Sequence, residues 1–113
     1  MTIDENKLNE FVNKAVSDVG STMSSILVVL GDRLGLWKAM AASGPIDAAT
    51  LAKRTETHER YVSEWLNAQA AAGYVTYDPA TSKYTLLPEQ VAALADETSP
   101  TFFPDLFEVA AAC

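Results

Sequence analysis

Cysteine, histidine and basic residues are all scarce in this chain. The one cysteine, Cys113, is the last of 113 residues, so neither a disulfide framework nor a four-ligand zinc site can be built from it. A reducing cytoplasm is the simplest compartment. Lys and Arg together number 8 against 15 Asp and Glu, giving a net charge of -7 and a pI near 4.5. A duplex reader needs several phosphate-neutralising cations on one face, so this balance opposes DNA as a partner. Glycines are few and scattered at 20, 31, 35, 44 and 73. None forms the strand-linked G-x-G cluster of a nucleotide-binding loop. The longest apolar run, Ile26 to Leu30, is far too short to cross a bilayer, and the first six residues lack the basic flank of a secretory signal. Neither membrane anchoring nor export is expected.

What is present is the composition of one folded domain: 49% hydrophobic and 20% charged residues. From Lys7 to Ala42 the pattern is helical. Leu8, Phe11, Val12, Ala15, Val16 and Val19 follow three- and four-residue steps, and Met23, Ile26, Leu27 and Leu30 continue them. Gly20-Ser21 offers a break with a fresh cap, and Ser43-Gly44-Pro45 a stop, predicting two or three helices in residues 1–44.

Residues 45–95 read as a winged helix-turn-helix. Asp47 is a candidate N-cap, with Ile46 and Leu51 at hydrophobic-staple spacing, for a helix running to about Arg54. Thr57 is expected to cap the next helix, whose apolar face is Tyr61, Val62, Trp65, Leu66 and Ala70 and whose end is Gly73. Val75 and Tyr77, then Tyr84 and Leu86, alternate as strand residues around the turn Asp78 to Lys83. That hairpin is the wing. Pro88 opens a last helix through Leu94, and Asp96 to Pro100 interrupts it before the apolar segment Phe102 to Ala112. The fold class is therefore mainly α, with one small antiparallel hairpin, and residues 96–113 serve as a linker and the start of a further helix.

Chemistry-bearing groups are sparse. On the second helix of the motif, Arg60 and Asn67 suit base and phosphate contacts, but Glu59 and Glu64 share their surface. His58 falls at a helix start with no nucleophile identifiable beside it, so no catalytic residue is assigned. The scattered carboxylates form no metal-ligand or acid-base pair that spacing can establish. Trp37, Trp65 and the tyrosines have the spacing of a core, although an aromatic ligand pocket would use the same residues. The stripe Phe11, Val12, Val16, Val19, extended by Met23, Ile26 and Leu27, exceeds what so small a domain can cover, which points to an intersubunit or interdomain contact.

The segments Gly31 to Trp37 (GDRLGLW), Thr57 to Leu66 (THERYVSEWL) and Ala71 to Pro79 (AAGYVTYDP) resemble the N-terminal region of a class I S-adenosylmethionine-dependent methyltransferase family. Members of that family are often labelled transcriptional regulators. The resemblance extends over nearly the whole chain. It implies a dimerisation module followed by a Rossmann-like domain that binds the methyl donor. No donor-binding residue carries over, and the chain stops inside a segment that still looks helical, as though a longer protein had been cut.

The resemblance thus implies a homodimer, a downstream catalytic domain, S-adenosylmethionine held there and not here, and a small-molecule acceptor whose pocket this module roofs. Met23, Trp37, Phe102 and Phe103 are candidates for that pocket's lining. Two other readings remain open: a small DNA-binding transcriptional regulator and a protein-protein adaptor.

Overall fold

The computed structural model describes residues 2–102 and 104. The chain begins with one long helix, α1 (Glu5–Arg33), capped by Asp4, whose Oδ1 accepts from the amides of Asn6 and Lys7 at 3.0 and 3.3 Å. The break expected at Gly20-Ser21 does not occur, because the helix runs through it unbroken. A single glycine costs a helix only about 1 kcal/mol. Here the hydroxyls of Thr22 and Ser25 also turn back onto the carbonyls of Asp18 and Ser21, both at 3.1 Å, instead of capping a new helix.

After a Leu34-Gly35 turn, α2 (Leu36–Ser43) leaves at 69° to α1. The leading region thus holds two helices. The motif follows as α3 (Ala48–Thr55) and α4 (Glu59–Ala71). Asp47 caps α3 by accepting the Thr50 amide at 2.7 Å, and Ile46 and Leu51 are both buried at staple spacing. Thr57 does not cap α4. His58 holds that position without a side-chain cap bond, and the Thr57 hydroxyl pairs with that of Thr55 at 2.8 Å. Gly73, at φ 83°, stops the chain after α4, a left-handed conformation that a side chain would strain.

The wing consists of β1 (Thr76–Asp78) and β2 (Lys83–Thr85), antiparallel with Tyr77 opposite Tyr84. Ile46 adds an isolated bridge to Tyr84, exchanging two backbone hydrogen bonds at 3.0 and 2.8 Å. This contact, which local sequence did not reveal, ties the wing to the entrance of α3. Last comes α5 (Pro88–Leu94), with Pro at its first turn and the Leu87 amide donating to Gln90 Oε1 at 2.8 Å. The expected helix from Phe102 to Ala112 lies almost wholly outside the described residues.

A single core joins these elements, with Val28, Leu36, Trp37, Met40, Leu51, Val62, Trp65 and Leu66 almost wholly buried. Only the C-terminal part of α1 enters it. At about 1.5 Å per residue, α1 is about 43 Å long, and the described chain measures 58 × 34 × 24 Å. The first half of α1 projects beyond its own domain, where none of its large apolar side chains is buried.

Candidate functional site

Two surfaces could carry function: the outer face of α1, and the face that α4 and the wing would turn toward DNA. On α1, Phe11, Val16, Val19 and Met23 are 67%, 66%, 64% and 52% exposed, with Val12 and Ile26 also exposed and Leu27 half-buried. All seven residues expected at an interface thus lie on one helix, and six of them are exposed. The buried positions of α1, Val28 and Gly31, occupy another side of it. Scattered apolar side chains are ordinary on a protein surface, whereas here they follow one another along a helix that projects from its domain.

The four candidates for a pocket lining fare differently. Met23 borders an open groove of ≈ 700 Å³ between α1 and the end of α4, with Ser24, Leu27, Ala68, Ala71 and Tyr74 among its walls. Trp37 is fully buried and belongs to the core: its indole N–H donates to the Val28 carbonyl at 3.0 Å and its ring meets Trp65. A ligand reaching Trp37 would have to displace that packing. Phe102 is half-buried and stands apart from the Met23 groove. Phe103 lies outside the described residues.

The α4 face is polar and close to electrically balanced. Arg60 is exposed, with its Nε 3.6 Å from Glu64 Oε1 one turn along the same helix. Asn67 accepts a hydrogen bond from the Tyr84 hydroxyl at 2.5 Å, so its carbonyl oxygen is engaged by the wing. In the wing, Lys83 stands opposite Asp78, whose carboxylate accepts the Ala80 amide at 2.9 Å. Burial pushes the Tyr84 hydroxyl's pKa up, with the neighbouring Tyr77 adding to the shift. His58 is exposed beside Arg60, Tyr61 and Glu64 in a shallow depression. Among the described residues no three His, Cys, Asp or Glu side chains gather as a metal site.

Sequence reasoning missed Gln69. It is buried on α4, and its Oε1 has no hydrogen-bond partner among the described residues. Its place beside Leu66 on the apolar face of α4 was the available signal.

Helix, turn, helix and hairpin in this order define a winged helix-turn-helix. The chain belongs to the Rv2258c-like winged HTH domain family, whose model matches residues 22–96. No curated protein matches it. Among solved structures, PigF with SAH is similar at a TM-score of 0.72 with 22% identity, over 85% of this chain and 30% of that protein. Human N-acetylserotonin methyltransferase in complex with SAM is similar at 0.72 with 19% identity, over 96% of this chain and 31% of that one. The mitomycin 7-O-methyltransferase MmcR also scores 0.72, with 19% identity over 94% and 31%. At these identities the likeness shows the fold, and the chain spans just under a third of each solved protein.

Proposed function

We propose that this chain is the subunit-pairing module of an S-adenosylmethionine-dependent methyltransferase and that it roofs the acceptor pocket of a domain following it. The observation that carries the reading is the apolar row on α1, which is left exposed among the described residues. A fold shared with part of two methyltransferases and of an SAH-bound protein supports the rest. In this division of labour α1 pairs two subunits, and the half-buried Phe102, away from the pairing row, is the candidate left for the acceptor side. The donor and the transfer chemistry belong to the following domain, since a donor site of the doubly wound kind needs a glycine turn at the end of a parallel strand.

Light scattering across a dilution series tests the pairing. The expected result is a dimer that Phe11→Asp converts to a monomer with an unchanged circular dichroism spectrum of the winged body. An unpaired carboxylate in an apolar contact costs several kcal/mol, on the order of 3–5, while residue 11 lies beyond the core. A native chain that stays monomeric at all concentrations would sink the reading.

A further inference from the structure

The exposed row on α1 has an internal symmetry that fixes how it pairs. Leu8, Val12, Ala15, Val19, Met23, Ile26 and Leu30 follow one another at steps of 4, 3, 4, 4, 3 and 4 residues. This is an 11-residue spacing, close to the natural turn of an α-helix, so at about 100° per residue the seven positions stay within about 80° of azimuth along the helix. Five of the seven, Leu8, Val12, Val19, Met23 and Ile26, are exposed and Ala15 and Leu30 are half-buried, whereas Val28 and Gly31 are buried on the side facing the domain. The step pattern also reads the same in both directions from Val19.

We infer that α1 pairs antiparallel with α1 of a second copy along this row, with Val19 on the two-fold axis. The inference rests on the proposed pairing role and specifies its geometry. A two-fold interface must be self-complementary, with each residue facing the mirror position of its copy. In the Val19-centred register Leu8 faces the partner's Leu30, Val12 the partner's Ile26, and Ala15 the partner's Met23. Each large residue therefore meets another apolar one at the same height, and Ala15 gives room to the longer methionine.

Charge supports the same direction. Asp4 caps the start of α1 and Glu5 lies in its first turn, while its last turn carries Arg33 beside Asp32. The Val19 register places Glu5 at the height of the partner's Arg33. A parallel pair would instead set the acidic ends beside each other and the two helix dipoles side by side in the same direction. The area is sufficient as well. The row, with Phe11 and Val16 on its flanks, presents seven large apolar side chains that are 45% to 67% exposed, a surface on the order of the ~800 Å² each partner contributes to a standard interface. The 11-residue spacing predicts a pair that is straight or slightly right-handed, unlike the left-handed supercoil of a heptad seam.

Disulfide trapping in the full-length protein, with its other cysteines replaced by serine, distinguishes the arrangements. Val12→Cys and Ile26→Cys chains carrying different tags are mixed, allowed to exchange and oxidised. The expected product is a crosslink between the two variants, while Leu8→Cys chains do not crosslink to themselves. Leu8→Cys self-crosslinking in a protein that light scattering shows to be dimeric would mean a parallel pair. A dimer without the Val12–Ile26 crosslink would mean another face. Either result overturns this inference and leaves the pairing role standing, whereas a monomer removes both.

Discussion

Trp37 and Trp65 meet edge to face, ring centroids 4.6 Å apart and planes at 62°, across the backbone of Gly31. Their indole N–H groups donate to successive carbonyls of α1, Trp37 to Val28 at 3.0 Å and Trp65 to Leu27 at 2.9 Å. One turn of α1 is thereby bound to both α2 and α4. This turn anchors the helix whose far end projects from the domain.

A methyl group at Gly31 would come within 2.4 Å of Trp65 Cζ2 and 2.6 Å of Trp37 Nε1, whereas at Gly20 it would meet nothing within 4 Å. Gly31→Ala is therefore expected to destabilise the fold by about 1–3 kcal/mol through overpacking. Gly20→Ala is expected to be neutral or stabilising by up to about 1 kcal/mol through helix propensity. Urea unfolding of the two variants measures both. Equal effects would mean that the indoles yield to the methyl group.

Gln69 is the buried polar side chain with an unmatched acceptor. Gln69→Met keeps its length and removes that acceptor, so a gain of about 1 kcal/mol is expected, the lower end of the penalty for an unsatisfied buried group. A loss of stability in thermal unfolding would show that the amide is held by a partner that the substitution removes.

Tyr84 links the wing to α4 through Asn67. Its folded pKa is raised, so the stability it contributes is present below the unfolded tyrosine pKa of ~10 and is lost as pH rises through the higher folded value. Tyr84→Phe should remove that alkaline step and lower neutral-pH stability by about 1 kcal/mol for the lost hydrogen bond. Denaturation curves between pH 8 and 11 provide the comparison.

Asp47 behaves in the opposite sense. The Thr50 amide holds its carboxyl below the usual range, so its contribution is present above the unfolded carboxylate pKa of ~3.9 and is lost as pH falls through the folded value. Asp47→Ala should lose the cap at neutral pH, whereas Asp47→Asn should retain an acceptor and lose most of the acid dependence. An acid titration of stability on which all three proteins superimpose would contradict the capping role.

Specific DNA binding is not expected, because Arg60 is balanced by Glu64 and Asn67 is engaged by Tyr84. Selection from a random duplex library at moderate salt should return no consensus. A consensus site whose binding is lost in Arg60→Ala would favour a regulator over the pairing module.

Residues 1–113 alone should also give no calorimetric heat with S-adenosylmethionine, because the described strands form only the wing hairpin and not a doubly wound sheet. Saturable binding of the donor to this chain would refute the proposed division of labour.

The sequence by itself determined the elements whose signals are local. Asp47 caps through an amide three residues away, Gly73 takes a left-handed conformation that a side chain disfavours, Pro88 fits a first helical turn, and alternation places the two wing strands. It also displayed the row on α1, because helical periodicity needs no knowledge of neighbours. Tertiary structure decided what depends on distant partners. Gly20 and Ser21 looked like a break, but nothing in their surroundings opposes continuing the helix. Trp37 looked available to a ligand until α1 and α4 enclosed it. Glu64 was already visible as a counterweight to Arg60, but that Asn67 is engaged by Tyr84 became clear only in the fold. Ile46 joined the wing only when residues 38 positions apart met. A local signal is set by a residue's own backbone and next turn, whereas burial and pairing are set by whatever the folded chain brings into contact.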